Sequence, residues 1–492
     1  MKQAKMPYET VFRAPLEIAD GQATISWLNN DKGFQLDGRN IDVKAKAVHA
    51  RGGFRYLQPA NDEPWLGILA GISTDDGSQA WRYFPENLMG KDLVDYLSGA
   101  IQGGEADNAT LVYGGNPQLF PYKHNEGQFE VLVPLRNAKF AFQPDWPALT
   151  NLDIELDFIN DGLWMKTDGV NLGGVRASNL TAVIPDYSKE KLLIDTDIKG
   201  PGKAVGPYFD ETPLKDSLGA TLQELQLDGD VNARLHLDIP LNGELVTAKG
   251  EVTLRNNSLF IKPLDSTLKN LSGKFSFING DLQSEPLTAS WFNQPLNVDF
   301  STKEGAKAYQ VAVNLNGNWQ PAKTGVLPEA VNEALNGSVA WDGKVGIELP
   351  YHAGATYNVE LNGDLKNVSS HLPSPLAKPA GEPLPVNVKV DGNLNSFELT
   401  GQAGADNHFN SRWLLGQKLT LDRAIWAADS KTLPPLPEQS GVELNMPPMN
   451  GAEWLALFQK GAAESVGGAA SFPQHITLRT PKIGRASCRE RV

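Results

Sequence analysis

The residues best suited to hold a metal or to move a proton near neutral pH are seven histidines: His49, His124, His236, His352, His371, His408 and His475. None is spaced to share a metal, and Cys488 is the sole cysteine, so no zinc cluster is spelled out. His236 falls on the polar side of an alternating run, where a solvated imidazole is the plain expectation. Asp153, Glu155 and Asp157 share one face of another run. They have the oxygen chemistry for a cation, but a solvated strand face accounts for them more simply. Gly173-Gly174 and Gly467-Gly468 lack the phosphate-cradling patterns and read as turns. Trp291, Phe292, Trp319, Trp341, Trp413 and Trp426 offer rings for stacking on sugars, or for filling strand ends. No nucleophile, base and oxyanion donor stand in a recognisable pattern. The expectation is a protein that is not an enzyme, with no cofactor and no metal.

The elements carrying these residues are overwhelmingly strands. Hydrophobic residues make up 41% and charged residues only 21%, with 47 glycines, which suits many short strands and tight turns. A net charge of -14 argues against nucleic acid, which needs a basic face, and against polybasic docking on a membrane. The longest apolar run, Trp65 to Ile72, is far too short to span a bilayer and reads as a core segment.

Period-two alternation dominates. Phe129, Val131, Val133 and Leu135 form one apolar row, and Ile154, Leu156 and Phe158 a second. Leu235, Leu237, Ile239 and Leu241 form a third, Tyr309, Val311, Val313 and Leu315 a fourth, and Val386, Val388 and Val390 a fifth. Each places an apolar face opposite a polar one. Asp228-Gly229, Asn279-Gly280, Asn316-Gly317, Asp342-Gly343, Asn362-Gly363 and Asp391-Gly392 read as hairpin turns joining such runs into an antiparallel meander. Short helical pieces are predicted after Pro85, with Leu93, Val94 and Leu97 on one face; after Pro213, with Leu214, Leu218 and Leu222; after Pro328, with Ala330 and Val331; and at Glu453 to Lys460, with Trp454 and Leu455. The pieces recur near residues 85, 213, 328 and 451, each followed by strands, and so predict one continuous repeating region over 1–481. Pro-rich stretches at His371 to Pro385 and Leu433 to Pro448 read as loops on its rim. The closing Lys482 to Val492 breaks with this composition and reads as translated sequencing adapter.

A sheet with one apolar face must cover it. A second sheet would make a sandwich core. A long curled sheet with few helices would leave a trough, and apolar surface of that extent marks a binding site. Such a trough fits acyl chains. Moving two sixteen-carbon chains into water costs about 25 kcal/mol at about 0.8 per methylene, which limits escape to about 10⁻⁶ per second. A greased face removes most of that barrier with no chemistry.

The stretch Trp81-Arg-Tyr-Phe-Pro-Glu-Asn-Leu-Met-Gly-Lys-Asp-Leu-Val-Asp-Tyr-Leu97 resembles a recurring segment of AsmA-like proteins. Gly103-Gly-Glu-Ala-Asp-Asn-Ala-Thr-Leu-Val-Tyr-Gly114 and Phe142-Gln-Pro-Asp-Trp-Pro147 carry the same likeness, which extends to Pro481. The resemblance implies an all-β fold, an elongated repeating antiparallel β-groove with a few short helices. It implies a periplasmic region of a protein anchored in the inner membrane, carrying phospholipids between inner and outer membranes, with envelope proteins as further partners. A non-transporting scaffold for outer-membrane assembly is the alternative. No family catalytic residue exists to carry over, and the five apolar rows above are the expected groove lining.

Overall fold

A computed structural model of the chain describes residues 2–6, 12–213, 215, 219–242, 244–262, 266–325, 327–416, 418–464, 470–471, 473, 475–481 and 483–484. The fold is all-β and largely antiparallel, with a few short helices. The chain divides into two compact units, Met1–Gly219 with Asp230–Val252 and Phe277–Asn279, and Ala220–Gly229 with Thr253–Ser276 and Gly280–Val492.

The first unit opens with β1 (Lys2–Met6), β2 (Leu16–Asn30), β3 (Gly33–Ala45), β4 (Val48–Pro59) and β5 (Trp65–Thr74). A 3-10 turn (Gly77–Tyr83), α1 (Glu86–Met89) and α2 (Lys91–Ala100) follow. Then come β6 (Ile101–Gly115), β7 (Gln128–Phe140), β8 (Leu149–Ile159), β9 (Gly162–Leu172), β10 (Val175–Ile184) and β11 (Lys191–Pro201). Each strand pairs antiparallel with the next. After α3 (Val205–Phe209), α4 (Ala220–Glu224) and β12 (Leu225–Asp228), β13 (Asp230–Pro240) returns to pair with β11. The helix expected after Pro85 is broken by Gly90, whose φ of 80° no helix continues through. Of the apolar residues expected after Pro213, Leu222 lies in α4, and Leu214 and Leu218 lie outside the described residues, as do Gly467, Gly468 and Cys488.

The strands that follow are β14 (Thr247–Ile261), β15 (Ser266–Ile278), β16 (Asp281–Ser284), β17 (Leu287–Trp291), β18 (Gln294–Glu304) and β19 (Ala308–Trp319). After α5 (Glu329–Asn332) come β20 (Leu335–Gly337), β21 (Val339–Pro350), β22 (Thr356–Asp364), β23 (Val368–Ser370), β24 (Pro385–Asn393), β25 (Ser396–Ala403), β26 (Asn407–Leu414) and β27 (Leu419–Ala427). β28 (Gly441–Asn445), β29 (Met449–Asn450), α6 (Gly451–Glu464), β30 (Ala470–Ser471), β31 (Ile476–Arg479) and β32 (Ile483–Gly484) complete the described chain. In the second unit β18, β19, β21, β22, β24, β25, β26 and β27 pair in that order, all antiparallel. The meander stops at β27. The Pro-rich segment leads back along the strand, so β28 joins β27 parallel and β31 joins β28 parallel. Part of the stretch expected to be loop, Gly441–Asn445, is therefore a strand.

Five of the six expected hairpin turns are not hairpin turns: Asp228-Gly229 is a bend between β12, which pairs with β14, and β13, which pairs with β11, and the other four lie inside strands. Asn316-Gly317, Asp342-Gly343, Asn362-Gly363 and Asp391-Gly392 lie inside β19, β21, β22 and β24. The reason is steric. A Cβ on Gly392 would sit 2.7 Å from the Tyr357 ring, its cross-strand neighbour, so the glycine makes room for a ring lying flat on the sheet. The Asn and Asp partners build a ladder on the opposite face: Asn297 donates to Asn316 at 2.9 Å, Asn362 to Asp342 at 3.3 Å and Asn387 to Asn362 at 2.7 Å. Asn279-Gly280 is a turn, between β15 and β16.

Bulges interrupt the alternation at left-handed asparagines. Asn137 (φ 50°) and Asn151 (φ 52°) accompany register shifts between β7 and β8, and Asn270 (φ 55°) lies in one on β15. The extra residue puts side chains three apart on the same face. Leu135 and Ala138, Leu149 and Leu152, and Leu268 and Leu271 are accordingly all buried.

Candidate functional site

The apolar faces are built row by row from the strand register. In the first unit one row runs Ile25, Gly38, Phe54, Ile68, Tyr113, Phe129, each directly opposite the next. A second, on the same face of β7, runs Val133, Leu156, Met165, Ala182, Ile194, Leu237. The predicted rows thus meet: Val131 faces Phe158, Leu135 faces Ile154, and Leu235 and Ile239 extend the β13 end of the face.

The two rows differ in cover. Leu135, Ile154, Leu156, Phe158 and Ile239 are buried in one apolar cluster. Leu93, Val94 and Leu97 of α2, at most 1% exposed, belong to the same cluster, and the Phe84 and Phe158 rings lie 6.3 Å apart. Val131, Val133, Leu237 and Leu241 pack at its margin, and Leu235 is half-buried. The β2 to β6 row lacks this cover. Trp27 is 71% and Ile25 46% exposed, while Phe54, Ile68, Tyr113 and Phe129 are half-buried. Nor is Trp65–Ile72 a core segment: Leu69 is 66% exposed on the opposite side of β5.

Three parallel rows cross the second unit. The central one runs Phe300, Val313, Val345, Val359, Val390, Leu399, Ser411. Beside it run Val298, Leu315, Gly343, Leu361, Val388, Gly401, Phe409, and Thr302, Val311, Ile347, Tyr357, Gly392, Phe397, Trp413. No position in these rows carries a charge. Tyr309 and Val311 are buried, whereas Val313, Leu315, Val386, Val388 and Val390 are half-buried, as are Val345, Val359, Leu361 and Phe409. Rings lie flat here: Phe409 covers Gly401 so closely that a Cβ would sit 2.0 Å from its Cζ. Trp319 and Trp341 pack edge to face at 4.7 Å, with Trp291 and Phe292 beside Trp319, so these aromatics fill strand ends as one cluster. Phe54, Ile68, Tyr113, Val345, Val359, Leu361, Leu399 and Phe409 were not anticipated. Glycines stand within some of these runs, as in Val345-Gly-Ile347, whereas Tyr357-Asn-Val359-Glu-Leu361 alternates unbroken and carried the same signal as the predicted rows.

The polar faces hold pairs and short ladders, such as Asp342–Asn362–Asn387. His236 lies 2.8 Å from Asp195. Burial, with Glu130 and Glu155 nearby, raises the Asp157 carboxyl above its ordinary value. Among the described residues no cluster of three or more His, Cys, Asp or Glu is disposed to hold a metal ion, and no helix is long and apolar enough to cross a membrane.

The chain is 98% identical over 483 residues to a protein of Escherichia coli (strain K12) named intermembrane phospholipid transporter YhdP. That alignment covers 98% of this chain but 38% of the relative, so the chain spans well under half of the relative's length. No solved structure matches the chain. The family described as YhdP protein matches over residues 1–487, nearly end to end. With an all-β fold, charge-free apolar rows and a near-identical relative, the chain belongs to the YhdP protein family.

Proposed function

We propose that this chain is a segment of an intermembrane phospholipid conduit, in which acyl chains lie on the apolar sheet faces and headgroups remain in water. The observation that carries the reading is the second unit's face: three rows over seven strands without a charge, the central one half-buried from Phe300 to Leu399. The name of the 98%-identical relative supports it. On this reading the phospholipid is the partner, and the segment lies in the periplasm of an inner-membrane-anchored protein that reaches toward the outer membrane. Val313, Leu315, Val386, Val388 and Val390 are the expected lining.

A scaffold reading has one observation in its favour, the closed core of the first unit under α2. Native mass spectrometry with lipid extraction separates the two. Phospholipid that co-purifies with the chain from a bacterial periplasm, and is lost in a folded Val313→Asp variant, is the expected outcome. A folded, monodisperse chain carrying no phospholipid would favour the scaffold.

A further inference from the structure

The segment between β5 and β6 is a cover placed on an otherwise continuous apolar face. Leu93, Val94 and Leu97 of α2 occupy the rows of Leu135, Ile154, Leu156 and Phe158, while the same face of β2 to β6 lies open. The outer side of the helix pair is charged and is fastened by an arginine, while Tyr96 of α2 donates to the Phe142 carbonyl at 3.1 Å. Arg13, just before β2, donates from Nε to Glu86 of α1 and from Nη1 to Asp95 of α2, and its Nη2 reaches the Lys91 carbonyl at 3.3 Å. Lys91 adds a second donor to Asp95. One arginine therefore holds both helices, with Gly90 (φ 80°) as the joint between them. These links are partly exposed to water, unlike the apolar contacts beneath.

We infer that the α1–α2 pair is a lid, and that it and a phospholipid acyl chain are alternative occupants of the Leu135–Ile154–Leu156–Phe158 surface, with Arg13 as the latch. The inference rests on the conduit reading. The lid lifts as a unit about its two ends, the segment before Glu86 and the Ala100–Ile101 junction with β6; its apolar side leaves the rows, and an acyl chain from the open β2 to β6 face takes the vacated place. Closed, it divides that face into an open and a blocked stretch.

Hydrogen exchange by mass spectrometry on the whole chain tests this, with and without vesicles of dioleoyl phosphatidylethanolamine and dioleoyl phosphatidylglycerol. The expected result is that amides of 86–100 exchange independently of those of β8 and β9, and faster with vesicles. Arg13→Gln raises exchange in 86–100 about tenfold without changing β8 or β9, and Arg13→Lys restores part of the protection. Exchange of α2 only together with β8 and β9, raised equally in both by Arg13→Gln, would overturn the lid, because α2 would then be permanent core. Vesicles that load phospholipid onto the protein while leaving 86–100 unchanged would overturn the lid alone. Vesicles that load none would overturn the conduit reading, and the shared occupancy with it.

Discussion

Placing a carboxylate in each of two apolar rows separates an open face from a dry core. Leu156 is 4% exposed within the first unit's cluster. Leu156→Asp removes a buried side chain, worth about 2–5 kcal/mol on truncation alone, and adds a carboxyl that must be buried without a partner. The total, above about 5 kcal/mol, rivals the whole stability of an ordinary domain. Val313 is half-buried between Phe300 and Val345. Val313→Asp forfeits about 1 kcal/mol of apolar burial and up to about 1 kcal/mol of strand preference, while its carboxylate keeps access to water. That is about 1–2 kcal/mol, or a fall in Tm of about 2–8 °C for a unit of this size. Thermal unfolding followed by circular dichroism, with phospholipid counted in the same preparations, reads both effects. Leu156→Asp should unfold the first unit; Val313→Asp should stay folded and lose its phospholipid. Equal destabilisation by the two would refute the reasoning, since the second unit's face would then be a sealed core.

Gly401→Val should force the Phe409 ring upright, costing about 1–3 kcal/mol and changing the near-ultraviolet circular dichroism; an unchanged spectrum and Tm would contradict the flat-ring geometry. Asn151, at φ 52°, should tolerate glycine within about 0.5 kcal/mol but lose about 1–2 kcal/mol on replacement by valine, measured by urea unfolding. Lys91 and then Arg13 hold the Asp95 carboxyl below its ordinary value by hydrogen bonding. Its contribution to lid closure is therefore complete above the ordinary carboxylate range and is lost as pH falls through the lowered value. Exchange of 91–100, corrected for its intrinsic pH dependence, should be flat from neutral pH down to that range and rise only below it. A rise near pH 6 would point to another group.

The strands and the one-sided apolar row on each were legible because period-two alternation is a local signal: Val131, Val133 and Leu135 had to share a face, and so did Ile154, Leu156 and Phe158. The Asx-Gly pairs misled because the same dipeptide serves two purposes. At Asn279-Gly280 it turns the chain, and at Asp391-Gly392 it leaves room for a ring on the next strand, a neighbour that sequence order does not reveal. The bulges left a readable trace, an asparagine between apolar residues three apart, as in Leu149-Thr-Asn-Leu152.

Alternation, glycine content and short helix signals thus determine from the sequence alone that this chain is all-β with one-sided apolar strands, since each rests on the chain's own backbone geometry. Which of those apolar residues face open space was decided only by the tertiary structure. Leu156 and Val313 have the same local pattern, yet Leu156 is buried in the cluster that α2 joins and Val313, in the second unit, is half-buried, because cover comes from segments distant in sequence.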